Sequence, residues 1–150
     1  MSLHNLIRIC LFLFLISGYV ITKEKSKYNN SKFNGVWVGK MIQPDGPRGE
    51  EGYNQYLQLS TSGSSIKGKS QIEIPDSKFY GEMIISGNIK NDSLFFREDS
   101  IIIQQTRDGH WWCLKKGILV LDTTTMYLKG EWNSSNCASG RIELHRIFQK

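Results

Sequence analysis

The chain has 150 residues, a net charge of +5 and 39% hydrophobic residues, which suits one domain with its own core. Its basic residues are dispersed: Lys67 and Lys69, Lys115 and Lys116, and Arg141 and Arg146 stand in separate segments among acids. A nucleic-acid binder gathers such charge into a stripe, so no nucleic-acid partner is expected, and a single alanine in the whole chain, Ala138, argues against a helical domain.

The first 22 residues set the compartment. Arg8 precedes an unbroken apolar run from Ile9 to Ile16, followed by Ser17-Gly18 and the short tail Tyr19-Val20-Ile21. This order reads as a secretory signal peptide over residues 1–22 with a helical apolar region. The 13 residues from Ile9 to Ile21 fall short of the ~20 that a membrane-spanning helix needs. An uncleaved N-terminal anchor is the alternative, and the membrane would then be met only through that segment. Cys10 lies inside the apolar run rather than after small residues, which argues against a lipoprotein. The expected destination is the periplasm, the cell surface or the extracellular space. Removal of residues 1–22 leaves 128 residues and a net charge of +4. Residues 23–33, rich in Lys, Ser and Asn, read as a flexible leader, and residues 34–150 as a β-barrel domain.

Strand signals then follow one another. Gly35–Gln43 alternates around Trp37, and Pro44-Asp45-Gly46-Pro47-Arg48-Gly49 ends it. Tyr53–Ser60 places Tyr53, Gln55, Leu57 and Leu59 on one face. Ile66–Ile74 places Ile66, Gly68, Ser70 and Ile72 on one face, and Tyr80–Ile89 does the same with Met83, Ile85, Gly87 and Ile89. Ser93–Glu98, Ile101–Gln105, His110–Leu114, Gly117–Asp122, Thr125–Trp132 and Gly140–Phe148 complete the series. Eight to ten short strands with regularly spaced turns predict an all-β fold. The expected form is an antiparallel up-and-down meander closed as a small barrel, with a β-sandwich as the alternative.

Two further patterns bear on that form. Apolar-x-Gly recurs within strands at Gly68, Gly87 and Gly130, and mid-strand glycine marks a bend or close backbone approach. Cys113 and Cys137 are an isolated pair in an exported chain, which reads as one disulfide. Asn-x-Ser triplets at Asn29, Asn91 and Asn133 are glycan acceptors if the source is eukaryotic.

The opening strand, Phe33-Asn34-Gly35-Val36-Trp37-Val38-Gly39, carries Gly-x-Trp. This resembles the first-strand signature of calycin-type barrels, the group of lipocalins, fatty-acid-binding proteins and avidins. The resemblance implies a barrel floor closed by Trp37, with Arg141 or Arg146 of the last strand packed across it as a cation–π partner. It covers two strand ends only, and the chain lacks room for a lipocalin's C-terminal helix.

Catalytic constellations are sparse. His110 follows Asp108-Gly109 in a turn, His145 sits on a polar strand face, and Asp45, Glu50 and Glu51 flank the first long loop. No nucleophile elbow, metal-ligand cluster or phosphate loop accompanies them, so neither an enzyme nor a cofactor or metal site is expected. The aromatics say more. Trp37, Tyr53, Trp112, Met126 and Trp132 share a phase with Leu57, Ile85 and Leu128, either filling the core or lining a cup at the open end. Trp37, Tyr53, Trp112 and Trp132 are therefore the ligand-binding candidates, for a small apolar or amphipathic molecule. The rival expectation is a solid barrel that meets a protein partner through loop 44–52 and an outward Trp111, as an inhibitor, an immunity factor or an accessory subunit of a surface assembly.

Overall fold

A computed structural model describes residues 29–106 and 111–148. The signal segment, most of the leader and His110 lie outside the described residues. The ordered part starts earlier than the sequence suggests. Asn30–Phe33 forms a 3-10 helix capped by the Asn29 side chain, and its Phe33 is fully buried. The end of the expected leader is thus part of the core.

Eight strands follow: β1 (Gly35–Ile42), β2 (Tyr53–Ser62), β3 (Ser65–Glu73), β4 (Tyr80–Lys90), β5 (Ser93–Gln105), β6 (Lys116–Asp122), β7 (Tyr127–Asn133) and β8 (Gly140–Ile147). Each pairs antiparallel with the next, and β1 also pairs with β8, with Trp37 opposite Arg146 and Met41 opposite Ile142. That last ladder closes the barrel and excludes the sandwich. Closure leaves no free edge in the ring, the usual way a small sheet avoids edge-to-edge pairing.

Alternation drives the arrangement. Successive strand residues point to opposite faces, so Leu57, Leu59, Ile66, Ile72, Met83, Ile85, Leu94, Leu119, Leu128, Ile142 and Leu144 fill one interior. The three repeated glycines sit where strands press closest. A Cβ at Gly68, Gly87 or Gly130 would collide with the carbonyl of Gln58, Phe95 or Ile118 on the adjoining strand. Such contacts accompany the strong coiling that a small closed sheet requires.

Two expected boundaries are corrected. Ser93–Glu98 and Ile101–Gln105 are one strand, β5, interrupted in pattern only. Its register against β4 shifts between Glu82 and Met83 and again between Ile84 and Ile85. A bulge adds a residue and flips the phase beyond it, which erases the alternation across Asp99 to Ile103. The strand expected over 110–114 is absent from Trp111 onward: Trp111–Lys115 is irregular. The count is therefore eight.

The two ends of the barrel differ. At one end the connections are short: Gly63-Ser64, Asn91-Asp92 and the turn before Tyr127. Asn91 takes a positive φ of 59°, a conformation asparagine tolerates well. The N-terminal 3-10 helix seals this end. Asn30 Nδ2 donates to Gly63 O at 2.8 Å, the Thr61 amide donates to Asn34 Oδ1 at 2.6 Å, and Lys32 pairs with Asp92. Below it Trp37 Nε1 donates to Phe33 O at 2.9 Å, and the Arg146 guanidinium lies 5.9 Å from the Trp37 ring centroid. Of the two arginines considered for that place it is Arg146. Arg141 faces outward at the other end and pairs with Glu50 at 2.5 Å.

Candidate functional site

The four longer connections all emerge at the end opposite the 3-10 helix: 43–52, 74–79, the one described by 106 and 111–115, and 134–139. Beneath them lies a cavity of about 680 Å³, and every one of the four contributes to its wall. Ligand sites commonly span roughly 300–1,000 Å³, so the space matches a small organic molecule.

The loops are tied to one another rather than loose. Gly46 N donates to Gln43 O at 2.9 Å, Gly49 N donates to Gly46 O at 3.1 Å, and Gln43 Nε2 reaches across to Ala138 O at 2.6 Å. Arg48 Nε donates to Gly52 O at 2.8 Å and pairs with Glu51 at 2.9 Å. Two of the three acids of loop 44–52 are thereby occupied: Glu51 by Arg48, Glu50 by Arg141. Cys113 and Cys137 form the expected disulfide, with Cα atoms 6.3 Å apart, inside the usual span. It joins 106–115 to 134–139 and itself forms part of the cavity wall.

Of the four aromatic candidates, three are brought together. Tyr53, Trp112 and Trp132 line the cavity. Tyr53 and Trp112 meet edge to face, ring centroids 6.0 Å apart at 76°, the geometry the ring quadrupoles favour. Trp112 Nε1 donates to Tyr80 O at 3.0 Å, and its indole lies against Gly81, where a Cβ would approach to 2.8 Å. Burial raises the Tyr53 phenol's pKa, opposed by the nearby Arg48 charge. The fourth candidate, Trp37, lies under the sealing helix at the far end and does not reach the cavity. Trp111 stands at the rim, 63% exposed.

The cavity floor holds a group of residues that sequence reading did not single out. Lys115 and Glu98 form an ion pair at 2.7 Å, with side chains only 2% and 1% exposed. Glu98 Oε2 also accepts from the Lys115 amide at 3.0 Å, and Oε1 accepts from Ser70 Oγ at 2.6 Å. Ser70 Oγ in turn accepts from Gln55 Nε2 at 3.0 Å. This chain threads the barrel interior, with Lys115 as its cavity-facing end. Burial lowers the pKa of Lys115, against the raising effect of Glu98. Its Nζ also lies 5.9 Å from the Trp132 ring centroid. Trp132 Nε1 is buried and, among the described residues, has no hydrogen-bond partner, an uncommon state for an indole N–H.

A signal for part of this network was present. Glu98 falls on the phase of Leu94 and Phe96, and Gln55 and Ser70 fall on inward phases. A carboxylate on an apolar phase demands a buried cation. Lys115 itself, in an irregular segment beside Lys116, carried no such sign.

Among the described residues no cluster of His, Cys, Asp or Glu has the geometry to hold a metal ion. The molecule belongs to the class of small closed eight-stranded antiparallel β-barrels with one sealed and one hollow end. No protein-family model matches the chain, and no curated protein matches it in sequence.

Proposed function

We propose that this chain is an exported, calycin-like binding protein that holds a small amphipathic molecule in the hollow end of its barrel. The observation that carries this reading is the cavity of about 680 Å³ walled by Tyr53, Trp112 and Trp132, with apolar Met41 and Ile72 among them. Apolar walls with a few placed polar groups are the usual composition of such sites. The sealed end supports the kinship: Gly-x-Trp and a last-strand arginine over the indole are the parts that the calycin resemblance implies there. Export is supported by the signal-like residues 1–22 and by the disulfide, which persists in oxidising compartments.

The role of the protein is then to carry or sequester rather than to transform. The test is displacement of the neutral dye N-phenyl-1-naphthylamine by a panel of amphiphiles, read alongside Trp112 and Trp132 emission. Saturable dye binding that Trp112→Ala weakens is expected. If neither dye nor any amphiphile binds, the reading fails. Function then passes to the rim, where exposed Trp111 and loop 44–52 would meet a protein partner.

A further inference from the structure

A strand in the ring has two neighbours only as far as both neighbours reach. β5 pairs with β4 from Ser93 to Gln105, but with β6 only from Ser93 to Arg97. One bond continues that second side, Glu98 N donating to Lys115 O at 2.7 Å. Over residues 99–105 the side of β5 turned away from β4 has no backbone partner among the described residues. Residues 111–115, which lead back to β6, are irregular, and they leave Ile102 and Ile103 49% and 42% exposed.

A row of open amides and carbonyls is the template for one kind of partner, another extended strand. Folded proteins usually guard such an edge with lysine or proline. Asp99-Ser100-Ile101-Ile102-Ile103-Gln104-Gln105 contains neither. The slipped register against β4 bends it, but three consecutive isoleucines give it the high strand preference and low charge of a pairing segment. Its one charge, Asp99, is held by Arg97 of the same strand at 2.7 Å. The sequence of the edge also selects the partner. Turned about a two-fold axis at Ile102, the segment meets itself antiparallel, with Ile101 opposite Ile103, Ser100 opposite Gln104 and Asp99 opposite Gln105. Apolar residues face apolar ones, polar face polar, and no like charges meet.

We infer that a second copy of this chain docks on residues 99–105, joining two barrels through an antiparallel β5–β5 ladder. Ile84, opposite Ser100 on the outer face of β4 and 36% exposed, then lies beside the new ladder with Ile102 and Ile103. The contact is isologous, so it uses the same open edge on both copies and stops at two. It is also small, which makes the dimer weak and concentration-dependent.

Sedimentation velocity of the full chain from about 5 to about 500 μM, with amide hydrogen exchange at both ends of the series, tests it. Monomer is expected to convert to dimer, and the amides of residues 99–105 to exchange about fivefold or more slowly at the high end. Ile102→Lys brings two like charges to the axis at a side chain that is half exposed. It is expected to raise the dissociation constant about tenfold or more while the dilute protein melts as before. Val120→Lys, at an equally exposed position on the outer face of β6, should leave the dimer intact. A chain that stays monomeric throughout overturns the inference. So does a dimer dispersed by Val120→Lys and not by Ile102→Lys, or one in which residues 99–105 exchange as fast as in the monomer.

Discussion

Replacing Glu98 by Gln isolates the buried charge of Lys115 with little change of shape. Gln keeps an acceptor near the Lys115 amide and Nζ and can still meet Ser70 Oγ, so the loss is mainly electrostatic. The lysine side chain is 2% exposed, and stranding one member of a buried pair costs about 3–5 kcal/mol. A ceiling follows from titration. A lysine with an ordinary pKa of 10.5 can shed its proton at pH 7 for about 4.8 kcal/mol, and the fold will take that route if burial of the charge costs more. At roughly 4 °C per kcal/mol for a domain of this size, the melting temperature should fall by about 12–20 °C. The pH dependence has a definite sign. Burial lowers the folded pKa of Lys115, and losing Glu98 lowers it further. Between that value and 10.5 the unfolded chain therefore binds more protons, and stability rises with pH. The deficit against wild type should shrink by up to about 1.4 kcal/mol per pH unit between the folded pKa of the variant and the higher folded pKa of the wild type. Thermal melts by circular dichroism at pH 7 and pH 9.5 provide the assay. A deficit under about 4 °C, or one that does not narrow at high pH, refutes the reasoning.

The disulfide and the glycine beneath Trp112 supply two further expectations. Reduction, or the double change Cys113→Ser with Cys137→Ser, frees a loop of about 25 residues and should lower stability by roughly 3.5 kcal/mol, measured by urea unfolding; unchanged stability would mean the staple restrains nothing in the unfolded chain. Gly81→Ala sets a methyl 2.8 Å from the Trp112 indole, which must swing away from the cavity wall. Dye affinity should fall about fivefold or more with only a modest loss of stability, about 1–3 kcal/mol by the usual cost of overpacking, and unaltered affinity would place Trp112 outside the binding surface.

Much of the fold was legible because it rests on local alternation. The inward phases of Tyr53, Gln55, Leu57 and Leu59, and of Met83, Ile85 and Ile89, follow directly from a period of two, and the glycines announced the tight coiling. Legibility failed where phase is broken by tertiary geometry. Asp99 and Ile102 lie where the β4–β5 register slips, so one strand reads as two. Phe33 looked like part of a polar tail because its partners, Trp37 and the β2 turn, are set by the barrel's closure and not by its neighbours in sequence. The site was legible for its aromatics and not for its floor. An inward Glu98 was visible, but its partner Lys115 comes from a stretch without regular structure, 17 residues away. Trp37 shared the phase of the other aromatics; only depth along the barrel axis separates it from them, and a period of two carries no information about depth.

The seal made by Asn30–Phe33 also fixes the molecule's polarity. The chain enters beside that seal, and β8 leaves there as well, Ile147 lying opposite Val36 at the start of β1. Whatever is joined upstream of Asn29 or downstream of Ile147, whether a lipid-embedded segment, a fusion partner or a surface-immobilisation tag, attaches at the blind pole. The hollow pole lies at the opposite end of the barrel from any such attachment.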